Sequence, residues 1–560
     1  MKKIIFSFIT GFALILSSCE DNFDPQIFGS MFSTNFPRTE ADLESYLMVC
    51  YLPFMNGNYN TSGATQIGWN MGNQGKLRMF EHCADYMNVW MIDFFQGATG
   101  AWVKLSSADY TSCYNYSRAS SNTNPNNFEK VRDITRFTEV LATLEKDGPL
   151  FLSEEKVKNY LGEIRLLRGL MLYYLMHVYG PVPVIVDPAL VGNVEAEKNL
   201  VRPTLEQMTA YIYDDLDFAQ QNMVETTTIR GRYTGDYAKV CLMRHCLNEG
   251  SYMTGYYDKA IEMYEALKAT NRYKLYTDGG RNAYLNQFRF ANKFNCEVVM
   301  AMSCSELGGS DNAIYPDWNQ MTWWEIPQFA SLYEDAAKTK PSIFYPQGGG
   351  YGQYINVSEK FYDTYEANDA RKDGIVTEYY RDVGGVPVLK TRADIGVTNG
   401  WSGFTCYKWQ VERNVQFQNQ DIPLARWADV LLLYAEAVAR KNKAVPTGDA
   451  MQGITDVRAR AGLGPMSGDA VASYDNFMEA LLIERGKELL FEGERKIDLI
   501  RFNRFSRNIQ KYKRPFDAST PVVIPTHQYM PIPDYAVNQA ETYGKVLTQT
   551  FERPDWELDK

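Results

Sequence analysis

Three glutamates, Glu484, Glu488 and Glu492, recur at every fourth residue near the end of the chain, with Arg485, Arg495 and Arg501 close by. Paired carboxylates are the groups that perform general acid and base work on glycosidic bonds. The same spacing serves ion pairs and caps within a stack of helices. We read them as scaffold, because no other catalytic pattern accompanies them. The chain has no His-Glu-x-x-His and no Gly-x-Ser-x-Gly. Gly75-Lys76 is followed by Leu77 and lacks the upstream glycine of a phosphate loop. The pairs His82-Cys83 and His245-Cys246 are adjacent in sequence, which is poor geometry for joint chelation, so no transition-metal site and no cofactor are expected. A structural calcium ion needs only oxygen ligands, but acidic loop residues such as Asp311 form no EF-hand pattern to support one. A surface hydrolase is therefore the least favoured function, and no catalytic residue is assigned.

The second reactive residue is Cys19. Lys2 and Lys3 precede an uncharged, mainly apolar run over residues 4–16, too short to span a bilayer as a stable helix. Leu16-Ser17-Ser18-Cys19 then resembles the lipobox of bacterial lipoproteins, whose cysteine thiol accepts a diacylglyceryl group. Residues 1–18 are expected to be a signal peptide and Cys19 a lipid anchor to the membrane, each buried methylene contributing about 0.8 kcal/mol. Residues 19–36, with Glu20, Asp21, Asp24, Asn22 and Pro25, read as a flexible tether. Removing residues 1–18 takes the formal charge from −11 to −13. That acidic balance argues against nucleic acid as a partner. The other eight cysteines show no compact framework and are expected to be mostly small core residues, with room for a disulfide or two.

The elements that position these groups are mostly helical. Val157, Leu161, Ile164, Leu167, Leu170, Met171, Tyr174, Leu175 and Val178 give an amphipathic helix over residues 155–179, stopped by Gly180-Pro181. A second helix covers residues 204–223, opening with Thr204 as N-cap and Gln207 three residues on. Residues 236–268 hold two more, split near 250–255; the second, with Ala260 and Tyr264, resembles a tetratricopeptide-repeat helix. Residues 277–420 are rich in Gly, Asn, Tyr and Trp, with a short strand over residues 297–302 and a Gly-rich loop over 348–352. Helical pattern returns over residues 424–443, 449–461 and, as one long helix, about 475–502. The proline-rich end reads as extended or looped. The fold class expected is mainly α: a tetratricopeptide-like superhelix with an irregular, loop-rich subdomain and a few short strands. The domains expected are 37–276 and 277–560, the latter carrying a ligand-binding insert at about 277–420.

Five segments, in order, resemble the SusD/RagB family of outer-membrane nutrient-binding lipoproteins. They are Glu163-Ile164-Arg165-Leu166-Leu167-Arg168-Gly169 with Tyr173-Tyr174 and Tyr179-Gly180-Pro181-Val182-Pro183; Ile422-Pro423-Leu424-Ala425-Arg426-Trp427-Ala428-Asp429; Val457-Arg458-Ala459-Arg460-Ala461-Gly462; Glu484-Arg485-Gly486-Lys487-Glu488-Leu489 through Arg501; and Tyr529-Met530-Pro531-Ile532-Pro533. Gly169 and Gly486 depart from the family's usual helix former or arginine, and Asp369-Ala370-Arg371 lacks its proline. The resemblance implies a cell-surface, outer-membrane protein that binds an oligo- or polysaccharide. It implies delivery to a SusC-like TonB-dependent transporter; the RagB branch implies a peptide cargo instead.

Sugars offer a C–H face to flat aromatic rings and hydroxyl edges to planar polar groups. The chain is 14% aromatic, and in glycan-binding family members the aromatic platform comes from an early and a mid-chain loop. The early cluster here has Trp69, Tyr86, Trp90, Trp102 and Tyr110 with Asn73, Arg78, Asp85 and Asn88; the mid-chain cluster has Tyr315, Trp318, Trp323 and Trp324 with Asp311, Asn312 and Asn319. From these, Asn73, Arg78, Asp85, Trp90, Trp102, Tyr315, Trp318, Trp323 and Trp324 are the candidate glycan contacts. Trp323-Trp324 is informative because adjacent residues of a strand cannot both face one core.

Overall fold

The apolar periodicity becomes a stack of helices in the computed structural model, which describes residues 36–55, 57–61, 64–70, 75–89, 109–110, 127–304, 319, 332–340, 355–396, 403–409, 419–515, 522 and 524–554. Helix α1 spans Glu40–Val49, α2 Val131–Phe151, α3 Glu154–Tyr179, α4 Leu205–Asn222, α5 Gly235–Glu249 and α6 Tyr256–Ala269. Later come α7 Trp427–Asn442, α8 Asp449–Arg460, α9 Tyr474–Glu488, α10 Arg495–Arg501, α11 Phe505–Tyr512 and α12 Asp534–Thr542. From α2 to α8 each helix packs on the next, and α6 meets α7 directly across the intervening middle segment. This is the tetratricopeptide-like logic, in which each helix buries its apolar stripe only by having a neighbour. Cys19, the signal segment, residues 348–352 and most of the tether lie outside the described residues.

Local chemistry sets the helix ends and spacings. Ser153 caps α3 through the Lys156 N–H, and Gly180, at φ 73°, ends it. Thr204 and Gln207 form the reciprocal capping box of α4. Gly169 lies where a Cβ would meet Asp215 Cβ and Leu216 at 3.1 Å, so its missing side chain lets α3 and α4 approach. Arg168 then reaches Asp215 at 2.7 and 2.8 Å and also bonds Thr138 of α2. Tyr264 stacks on Tyr434 across the α6–α7 contact.

Short strands decorate the stack. Strand β1 is Met87–Val89, β2 Val298–Met302, β3 Ile355–Val357 and β4 Ile422–Arg426. β4 pairs antiparallel with β2, and β1 with β3. Residues 424–426 are therefore strand rather than the start of a helix. They are buried on both faces, although the sheet has only two strands, and the helix begins only after Arg426, whose backbone is extended. The long helix expected at 475–502 is two, α9 and α10, separated by a turn in which Phe491 and Gly493 take φ of 60° and 97°. Pro533 serves as the N-cap of α12, so the proline-rich end is extended only up to that point. The cysteines among the described residues, Cys50, Cys83, Cys241, Cys246, Cys296, Cys304 and Cys406, are free thiols and nearly all buried.

Candidate functional site

The three glutamates are at the heart of a buried ion network. Arg426, with no exposed surface, donates from Nε to both Glu492 oxygens at 3.0 and 2.8 Å and from Nη1 to Glu297 at 2.7 Å and Glu488 at 2.6 Å. Arg460 bridges Glu297 and Glu488, Arg371 holds Asp369, Glu484 and Glu488, and Lys408 reaches Glu492 and the Leu490 carbonyl. Burial opposes charge on Glu488, but the Arg460, Arg426 and Arg371 guanidiniums overcome it and hold its carboxyl well below the usual range. Glu484 and Glu488 are 1% and 0% exposed. Such carboxylates present no lone pair to a substrate; they tie β2, β4, α8, α9 and the residue 369–371 turn into one body. Arg485, Arg495 and Arg501, the neighbours in sequence, serve Asp429 and Asp498, Asp85, and Glu436 and Asp498 instead. Sequence spacing found the glutamates but not their partners, since Glu297, Arg371, Arg426 and Arg460 arrive from four distant segments.

The α9–α10 turn is the hub of this body. Gly493 N donates to Glu81 at 2.6 Å, Phe491 N donates to Tyr86 Oη at 3.2 Å, and the Tyr86 hydroxyl donates to Glu81. Burial pushes the Glu81 carboxyl up to about 7, against the pull of those hydrogen bonds. Gly486 leaves room for the Arg495 guanidinium, which a Cβ there would meet at 2.9 Å.

The early cluster divides. Asp85 is fully buried and accepts from Arg495 at 2.8 Å on each oxygen and from Asn508 at 2.9 Å. Arg78 is 1% exposed, on the short helix Lys76–Phe80. Both expected contacts are corrected: they are interior scaffold residues, with no surface to offer a polysaccharide. Trp69 is likewise core, stacked on Tyr174 at 4.5 Å, and Tyr86 is buried against Phe361 and Phe491. Buried Tyr110 accepts from Lys496 at 2.8 Å, and Asn88 bonds Glu359. Asn73, Trp90, Trp102, Tyr315, Trp318, Trp323 and Trp324 lie outside the described residues.

What the described residues show is where those segments are rooted. Val89, the residue before Trp90, pairs with Ile355, and Asn88 with Asn356. Phe404 bridges Val357 beside them. The mid-chain segment is rooted on the other sheet. Cys304 N donates to Asp421 at 2.9 Å, and Asn319 Nδ2 donates to the Gln420 carbonyl at 3.2 Å. Tyr315 and Trp318 fall between Cys304 and Asn319, and Trp323-Trp324 follow soon after. Both roots rest on the hub turn, through Tyr86 for β1 and through Arg426 for β4.

Residues 250–551 match the model of the SusD family, more than half of the chain. The chain belongs to the SusD family. Residues 80–240 also match a family described as starch-binding associating with outer membrane. Starch-binding protein SusD of Bacteroides thetaiotaomicron is 26% identical over 425 residues, spanning 67% of this chain and 69% of that one. SusD-like protein P25 of Formosa agariphila is 22% identical over 401 residues, 69% of this chain and 72% of that one. Among solved structures, a SusD homolog from Bacteroides thetaiotaomicron aligns with a TM-score of 0.68 at 18% identity, covering 93% of this chain and 98% of that one. A laminarin binding SusD-like protein aligns at 0.64 and 18% identity, covering 93% and 100%. At such identity the structural likeness establishes the fold: a mainly helical SusD architecture in which the short gap between the two family matches, residues 241–249, falls within α5.

Proposed function

We propose that this SusD-family protein is a cell-surface lipoprotein, anchored through Cys19, that captures an oligo- or polysaccharide. On this reading it delivers the glycan to a TonB-dependent transporter in the same outer membrane and is not itself an enzyme. The observation that carries the reading is the rooting of the two Trp-rich segments. Trp90 directly follows a strand paired to Ile355, and Tyr315 and Trp318 fall between two residues fixed on 420 and 421. One rigid body thus carries both, as stacking on successive sugar units requires. The starch- and laminarin-binding relatives support glycan as the ligand class. The regularly spaced Glu484, Glu488 and Glu492 are engaged by arginine and lysine.

The test is a glycan array probed with the full chain carrying Cys19→Ala, followed by Trp90→Ala, Trp323→Ala and Trp324→Ala. Retention on one glycan class, lost in those variants, is the expected result. No retention on any glycan, with peptides co-purifying, would overturn it in favour of peptide capture.

A further inference from the structure

Phe294 is a bulky residue at φ 54°, in the left-handed region that glycine and asparagine favour, yet its ring is 37% exposed. Phe290, four residues earlier, is 41% exposed. A bulky apolar residue held in a strained backbone and still more than a third exposed recovers only part of the gain of burial, so the position calls for a reason.

The turn that carries both rings is rigidly pinned. Asn292 Nδ2 donates to the Asn286 carbonyl at 2.7 Å, Asn295 Nδ2 to the Gln287 carbonyl at 3.1 Å, and Glu297 N to Asn295 Oδ1 at 2.9 Å. Lys293 Nζ donates to the Cys304 carbonyl at 2.6 Å and pairs with Asp421 at 3.1 Å. Those last two residues are the root of the mid-chain segment. From the α4–α5 connection, the Arg230 guanidinium lies over the Phe294 ring, 4.8 Å from its centroid. Among the described residues no carboxylate forms a salt bridge with Arg230, although its charge is felt at Asp421, which Lys293 already pairs. A guanidinium stacked on a ring keeps its N–H edge available for bidentate pairing with a planar or tetrahedral anion.

We propose that Phe294, Phe290 and Arg230 form a subsite for a negatively charged sugar unit, a uronate or a sulfated residue, at the foot of the mid-chain segment. Arg230 takes the anion, and the ring surface that Arg230 and Lys293 leave uncovered meets the C–H face of the sugar. The pinned turn supplies this surface already ordered, which lowers the entropic cost of binding. A chain of net charge −11 repels an acidic glycan at a distance, so a local guanidinium with no direct salt bridge is what such a ligand needs. This proposal rests on the glycan-capture reading and deepens it.

The test uses the full chain with Cys19→Ala and an array of oligosaccharides in charged and neutral pairs. The pairs are oligogalacturonate with its methyl ester, and a sulfated galactan oligosaccharide with its desulfated form. Titration of the retained probes then uses Arg230→Gln and Phe294→Gly. Phe294→Gly removes the ring and relieves the strained backbone, so loss of binding with thermal stability kept or raised cannot be ascribed to misfolding. The expected result is a preference for a charged member that weakens with salt and falls on the order of tenfold in Arg230→Gln, with neutral binding unchanged. The carboxylate and sulfate arms show which anion is read. Glycan binding with no charge preference, or a preference untouched by both variants, overturns the subsite and leaves the capture reading standing. No retention of any glycan by the unsubstituted chain overturns both.

Discussion

Replacing Arg426 with Met separates a scaffold from a site. Arg426 is fully buried and donates to Glu297, Glu488 and Glu492 and to the Glu488 carbonyl. Met fills much of the same volume but leaves the three carboxylates with one cation fewer. Lys408 remains for Glu492, and Arg460 and Arg371 remain for the others, so the loss is that of one partner in a buried network, about 3–5 kcal/mol. Unfolding entropy of ~2 cal/mol/K per residue makes that a fall of about 3–4 °C in Tm for this 560-residue chain. The assay is calorimetric unfolding paired with glycan titration. The expected outcome is the lower Tm with glycan affinity within about twofold, because Arg426 and the three glutamates it serves are buried. An unchanged Tm with binding or turnover abolished would refute the scaffold reading and return these glutamates to chemistry.

Further outcomes follow from the same geometry. Glu81, raised to about 7 by burial, contributes stability that is present in full below its unfolded pKa near 4.5 and is lost as pH rises through about 7. The stability difference is about 3 kcal/mol, and Glu81→Gln should flatten the fall in Tm between pH 5 and 8; an unaltered slope would show that Glu81 is not the group responsible. Gly493→Ala forces a Cβ at φ 97° to within 2.8 Å of the Lys76 side chain and should lower stability by about 1–3 kcal/mol in denaturant titration. Thr204→Ala removes half of the α4 capping box and should cost about 1 kcal/mol by the same measurement, with binding unaltered.

Much of the scaffold is legible in the sequence because it depends on local patterns. The three-and-four spacing of α3, the stop at Gly180 and the Thr204–Gln207 box each involve neighbours in sequence, and each appears as expected. The failures arise where distant contacts overrule local pattern. Periodicity carries straight from Tyr474 to Arg501, but Glu81 and Tyr86, some four hundred residues earlier, capture the backbone N–H groups of Gly493 and Phe491 and hold a turn open. Residues 424–426 carry helix-compatible types, yet pairing with β2 draws them into a strand. Helix α2 runs on through Gly148-Pro149 to Phe151, past the stop that this pair would signal. In the early cluster, aromatic and polar types alone could not tell Trp69 and Asp85, which face the interior, from residues that face ligand. Phe294 and Arg230 were invisible because their meeting joins the α4–α5 connection to the turn before β2.

The proposed activity is capture of glycan, without cleavage, by aromatic segments carried on the helical body. The most direct measurement is calorimetric titration of the full chain carrying Cys19→Ala with the array-selected oligosaccharide, beside the Trp90→Ala, Trp323→Ala, Trp324→Ala triple variant, with the sugar recovered afterwards and sized. Each base-stacking-like aromatic contact removed should cost about 0.5–1.5 kcal/mol, so affinity should fall by at least tenfold in the triple variant while the recovered sugar keeps its length. Undiminished affinity in the triple variant, or a shortened sugar, would contradict it.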